Sequence, residues 1–142
     1  MSSDPQDCIF CKIVKGELPS FRVCEDEHTL VFLDLFPVTP GHTLVIPKQH
    51  ASDLFEMDAD TLAAVAATSL RVAHAIDEAL APDGLGVFQL NRAAAGQTVF
   101  HYHMHLLPRN QGEPFALHSR VRGGDEVLRE TAARIRAALA SH

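Results

Sequence analysis

Residues 99–107 read Val-Phe-His-Tyr-His-Met-His-Leu-Leu, which puts His101, His103 and His105 at every second position with apolar or aromatic residues between them. Side chains on a β-strand alternate between its two faces and rise about 3.3 Å per residue. The stretch therefore predicts a strand whose Phe100, Tyr102, Met104 and Leu106 enter a core while three imidazoles line the other face. Neighbouring histidines would stand about 6.6 Å apart and the outer pair about 13 Å. One histidine in such a place would pass for an ordinary side chain. Three are hard to account for by packing, because nothing structural asks for a row of titratable rings.

The flanking sequence supplies the other strands and two helices. Arg22–Glu25, Thr29–Leu33 and Thr43–Pro47 read as short strands, separated by the turn Asp26-Glu27-His28 and the loop Pro37–His42. Gly86–Asn91 reads as another, joined to the histidine strand (Val99–Leu107) by the loop Arg92–Thr98. Ile9–Val14 predicts a helical turn ending at Gly16, after which Pro19 keeps the chain extended. From Asp58 to Leu80, the residues Leu62, Val65, Ala66, Val72, Ala73, Ile76 and Leu80 recur at the spacing of an amphipathic helix, with Asp58 and Asp60 near its positive end and Pro82 just beyond it. Asp125–Ala140 predicts a second helix with Leu128, Thr131, Ala132, Ile135, Ala138 and Leu139 on its inner stripe. Strands, helix, strands, helix is the order of an α+β domain, here a largely antiparallel five-stranded sheet with two helices.

A chain of 142 residues with 46% hydrophobic content fits one domain, placed at residues 8–142 after an acidic N-terminus (1–7) expected to be flexible. No segment is apolar enough for a membrane span and none reads as a signal peptide, so a cytoplasmic protein is expected. The net charge is −6 and the basic residues are scattered, which argues against a DNA or RNA surface but leaves room for a small anion in a pocket. Cys8, Cys11 and Cys24 form no disulfide framework, and Cys8-x-x-Cys11 reads as a metal or redox pair.

Two chemistries compete for the histidines. Neighbouring imidazoles can converge on a metal ion, but zinc bonds reach only about 2 Å, so one ion is not expected to use all three. Alternatively, one imidazole attacks phosphorus while its neighbour donates to the phosphoryl oxygens. The entry loop Ala94–Thr98 favours this second reading, since Gly96, Gln97 and Thr98 can turn N–H groups toward a phosphate.

His101-Tyr102-His103-Met104-His105-Leu106-Leu107 resembles the signature of the histidine triad (HIT) family of nucleotide hydrolases and transferases. The likeness extends over residues 8–109 through "CIFCKIVKGELPS", "EDEHTLVFLD", "PVTPGHTLVIPKQH" and "GQTVFHYHMHLLPR"; residues 110–142 form an extension and helix with no motif. The resemblance implies a HIT-like fold and a homodimer with one continuous ten-stranded sheet. It also implies hydrolysis at the α-phosphorus of a purine nucleotide derivative, either a phosphoramidate or a dinucleoside polyphosphate, through a nucleotidyl-histidine. By position His103 matches the nucleophile, its other ring nitrogen expected to donate to a backbone carbonyl. His105 and His42 match phosphate-binding histidines, and His101 completes the triad. Gln97, Thr98 and Asn91 match residues near the phosphate, and Asp34 the carboxylate that holds the ribose. Phe10, Ile13, Leu18, Phe32, Leu35 and Leu44 match the apolar cleft for the base, although unaided each would be read as core.

The resemblance also implies a structural zinc, and no catalytic cofactor, with Cys8, Cys11, His50 and His101 as the ligands. The alternatives are a metal-dependent phosphohydrolase using His101 and His103, a non-catalytic nucleotide-binding module, and a transferase, whose branch of the family replaces a histidine kept here at His105. Arg109, Lys12 and Lys48 are candidate contacts for a polyphosphate, with solvated charge as their default. His28, His74, His118 and His142 sit in no motif and read as surface or core.

Overall fold

The computed structural model describes residues 4–141. The N-terminus expected to be flexible (1–7) lies partly outside the described residues, as does His142; Pro5–Asp7 form a 3-10 turn capped by the Asp4 carboxylate. Strands β1 (Arg22–Glu25), β2 (Thr29–Leu33), β3 (Thr43–Pro47), β4 (Gly84–Phe88) and β5 (Met104–Arg109) form one sheet in the order β1-β2-β3-β5-β4, every neighbouring pair antiparallel. The helices are α1 (Ile9–Val14), α2 (Ala59–Leu80) and α3 (Asp125–Ala140). This is the expected α+β architecture, with the helical turn present as a six-residue helix.

β2 and β3 are buried along their whole length because both faces of the sheet are covered. Val31, Leu33, Val45 and Leu106 pack with Val65, Val72 and Ile76 of α2 and Leu128 and Ile135 of α3. The alternate residues Leu30, Phe32, Leu44 and Ile46 pack with Phe10 and Ile13 of α1 on the opposite face. The two-residue period of the strands thus divides the molecule into a large helical core and a smaller layer under α1. On α2, Ala66 is exposed and Thr68 and Ser69 take inner positions. Their hydroxyls are satisfied there, Thr68 by Thr29 at 2.9 Å and Ser69 by the Val65 carbonyl at 2.7 Å, which is why a purely apolar count misplaces the stripe.

The histidine strand is shorter than its pattern. β5 begins at Met104, so His101 and His103 lie before the strand and only His105 lies on it. Pairing with β3 stops at Val45–Met104. Beyond that point His101 Nε2 contacts the Pro47 carbonyl at 2.8 Å and His103 Nδ1 the His101 carbonyl at 2.7 Å. Imidazoles have taken carbonyl partners that a continuing ladder would need. Tyr102, Met104 and Leu106 still turn to the helical core, whereas Phe100 is only half-buried. β4 runs over Gly84–Phe88 rather than Gly86–Asn91, since its pairing with β5 starts at Gly84–Arg109 and ends at Phe88–His105, one residue short of where β5 begins.

Candidate functional site

His101, His103 and His105 are all buried, at 0%, 6% and 3% exposure, and each is held by different partners. His101 donates from Nε2 to Pro47, which leaves the Nδ1 lone pair free. His103 donates from Nδ1 to the carbonyl of His101, which leaves Nε2 free, as expected of a nucleophilic ring. His105 is fixed through a chain. The Val38 N–H donates to His42 Nδ1 at 3.2 Å, so the His42 proton is on Nε2, where it is given to His105 Nδ1 at 2.9 Å. The remaining His105 proton is then on Nε2, a buried atom with no hydrogen-bond partner among the described residues. Phe88 stacks on the His105 ring at 4.4 Å and 8°, and Phe10 meets His101 and His103 edge-on at 5.9 and 5.2 Å.

Burial keeps these rings neutral. It holds His42 and His101 down to about 4, His105 further down with help from His103 and His42, and His103 below its ordinary value against the opposing bond to the His101 carbonyl. Asp34 accepts the Phe36 N–H at 2.9 Å and lies 3.8 Å from His42 Nε2; burial raises its carboxyl.

His103 and His105 open onto a cavity of about 610 Å3 whose lining includes the apolar Phe10, Ile13, Phe32, Leu35 and Leu44 and the polar Asp34 and Thr98. Four expected residues are not in that lining. Leu18 is exposed beyond it. His42, expected to bind the phosphate itself, is buried at 1% exposure and reaches the site only through its bond to His105 Nδ1. Asn91 accepts from Leu54 N and from Gln89 Nε2 at 2.8 and 2.7 Å. Gln97 is buried, with its amide bonded to Ser52 O, Val99 O and Arg92 N, and so braces the entry loop from inside. Of the basic candidates, Lys48 pairs with Glu25 at 2.9 Å and Arg109 donates to Pro114 O and Ala116 O.

A second constellation lies on the other side of Phe10. The ligand atoms of Cys8, Cys11, His50 and His101 all lie within 4.8 Å of one another. Cys8 Sγ and Cys11 Sγ are 3.3 and 3.6 Å from His101 Nδ1, and Cys11 Sγ is 3.3 Å from His50 Nδ1. Tetrahedral zinc with two thiolates and two imidazoles has S···N edges of about 3.6 Å, so the donor set fits that ion. Cys8 caps α1, its sulfur accepting the Cys11 N–H, and the Pro47 bond orients His101 as an outer partner orients a metal-bound imidazole. Burial, then Cys8, pushes the Cys11 thiol up to about 12, so the pair calls for a cation before it ionises. Asp34, His42 and His105 also cluster, but there the two imidazole nitrogens already share a proton. His103 belongs to neither group, which removes the support for a catalytic ion held by His101 and His103.

Comparison with known proteins settles the family. The HIT domain matches residues 15–112. The chain belongs to the HIT family. Protein hit of Bacillus subtilis is 46% identical over 111 residues, 78% of this chain and 77% of that protein. Adenylylsulfatase HINT3 of Arabidopsis thaliana is 40% identical over 105 residues, 74% of this chain and 53% of that protein. The crystal structure of a Zn-bound histidine triad family protein from Mycobacterium smegmatis is 42% identical and superposes with a TM-score of 0.86, covering 97% of this chain and 96% of that one.

In this HIT protein the sequence reading missed one wall of the cavity. His118, Ser119 and Arg120 come from the extension after β5 and line it alongside His105, with the His118 and His105 ring centroids 6.3 Å apart. Ser20, also in the lining, buries an Oγ with no partner among the described residues. No period or motif marks these positions; only the fold brings them together.

Proposed function

We propose that this HIT protein is a nucleotide hydrolase that acts at the α-phosphorus of a purine nucleotide derivative, a phosphoramidate or a dinucleoside polyphosphate, and releases the nucleoside monophosphate. The observation that carries the reading is the His103 Nδ1 bond to the His101 carbonyl, which presents a neutral Nε2 to the cavity. In the first step Nε2 bonds to phosphorus and the leaving group departs with the electrons of its own bond, a polyphosphate as the anion and an amine with a proton taken up from solvent. In the second a water oxygen bonds to phosphorus, the P–N electrons return to Nε2, and the water proton passes to solvent. The unpartnered His105 Nε2–H, beside the cavity, is suited to the phosphoryl oxygen in both steps. The apolar lining under α1 takes the base and Asp34 the ribose hydroxyls. A relative named adenylylsulfatase supports nucleotidyl chemistry.

Mass spectrometry of protein quenched with a slow substrate should find a nucleotidyl adduct on His103, and His103→Ala should abolish turnover. Turnover retained by that variant would sink the mechanism.

The same reading gives Cys8, Cys11, His50 and His101 a structural zinc, supported by the Zn-bound relative and by the edge lengths above. It also gives a homodimer, joined along the free side of β4 at the sheet edge, with ten strands in one sheet. Among the described residues no helix is long and apolar enough to cross a membrane. The three cysteines are free, which fits the proposed cytoplasmic location.

A further inference from the structure

Residues 110–124 cross the polar side of the cavity as a strap fastened at both ends. At one end Arg109 donates to Pro114 O at 2.7 Å and to Ala116 O at 3.3 Å, with its guanidinium 5.4 Å from the Phe115 ring. At the other the Gly123 N–H donates to Leu35 O at 2.8 Å. Between these ties His118 and Arg120 line the same cavity as His103 and His105. Gly96 of the entry loop lies against the ring, a Cβ there being in ordinary contact with His118 Nε2 at 3.5 Å.

Arg120 is the one Lys or Arg side chain in the cavity lining, and it makes no hydrogen bond or ion pair among the described residues. The other basic side chains near the sheet are engaged elsewhere: Arg22 and Lys48 by Glu25, Arg92 by Asp53, and Arg109 by the strap. The acid that lines the cavity, Asp34, lies beside His42 and next to Leu35, whose carbonyl ties the strap. A nucleotide whose base occupies the apolar side and whose α-phosphate meets His103 and His105 leaves its departing group against His118 and Arg120.

We propose that His118 and Arg120 form a subsite for an oxyanion attached to the α-phosphorus, so that this protein's preferred leaving groups are phosphate- or sulfate-type anions rather than amines. The proposal rests on the nucleotide hydrolase reading and narrows it. A guanidinium offers paired donors to such oxygens and stabilises negative charge as it develops on departure. Arg109 is a positioning residue for this subsite, acting through the strap.

The test is equilibrium binding to full-length His103→Ala protein, which holds substrates without turnover, with AMP, ADP and adenylyl sulfate as probes. ADP or adenylyl sulfate should bind at least tenfold more tightly than AMP, about the worth of one charge-assisted hydrogen bond. Whichever gains more identifies the natural anion. Adding Arg120→Ala and His118→Ala should remove that preference, Arg120→Lys should keep part of it, and Arg109→Ala should weaken it. An unaltered preference in the double variant, or no preference in the parent, overturns the proposal while leaving the hydrolase reading intact. Failure of all three nucleotides to bind would overturn the hydrolase reading itself.

Discussion

The donor chain from Val38 through His42 to His105 makes a quantitative prediction. His42→Phe keeps a ring of similar shape but removes the Nε2–H that holds His105 Nδ1 as an acceptor at 2.9 Å. With nothing to donate to its Nδ1, His105 loses the bond that selects the Nε2–H tautomer, and forms with a lone pair on Nε2, facing the phosphoryl oxygen, become populated. Losing one preorganised donor to developing charge costs roughly 100- to 1,000-fold in rate, about 3–4 kcal/mol. That range applies here because His105 Nε2 is a buried donor with no other partner among the described residues. The loss should fall mainly on kcat, since the donor matters most when charge has developed. His42→Gln places an amide N–H near the lost Nε2–H and should recover at least tenfold over His42→Phe. Steady-state rates on a dinucleoside polyphosphate, with circular dichroism to confirm folding, would check this. Activity of His42→Phe within fivefold of wild type, or no difference between Phe and Gln, would refute the chain.

Other predictions follow from the same geometry. Burial lowers the His103 value, so the acid limb of kcat/KM should lie below the ordinary histidine value of about 6.5; a limb at or above it would contradict a buried neutral nucleophile. His42 is neutral when folded, with its value lowered to about 4, so the unfolded chain takes up that proton first. Stability is therefore complete above about pH 6.5 and declines as pH falls toward 4, by up to about 3 kcal/mol for this residue, measurable by urea unfolding across that window. Removing zinc with a chelator, or Cys8→Ser, should lower Tm by roughly 10 °C, as expected for an ion bound far above its Kd, while folded protein keeps its chemistry. Gly41 has φ +93°, and a methyl there would overlap Leu80 Cδ1 and lie 3.1 Å from Pro108 Cγ. Gly41→Ala should cost about 2–5 kcal/mol from left-handed strain and overpacking, a Tm loss of roughly 6–15 °C by scanning calorimetry.

Much of the fold was legible because it rests on periodicity. β1, β2, β3 and α3 begin and end where turn residues and apolar spacing put them, and Asp58 caps α2 as its position suggests. The cysteine pair, His50 and His101 meet as the resemblance implied. What could not be read were choices made by hydrogen bonding at long range. Alternation cannot show that His101 and His103 take carbonyls and so end a strand early, nor that Gln97 uses its amide on Ser52 O, Val99 O and Arg92 N rather than on the cavity. His118 and Arg120 carry no pattern because their place is set by Arg109 and Leu35, which tie the strap from outside its own sequence.

The central claim is that one alternating run of histidines is divided into three jobs by three proton placements. Long-range 1H–15N spectra of 15N-histidine-labelled protein report those placements directly. They should show His101 and His105 protonated at Nε2 and His103 at Nδ1, all neutral at pH 7. His103 protonated at Nε2, or charged at that pH, would contradict the assignment of the nucleophile and of the site built around it.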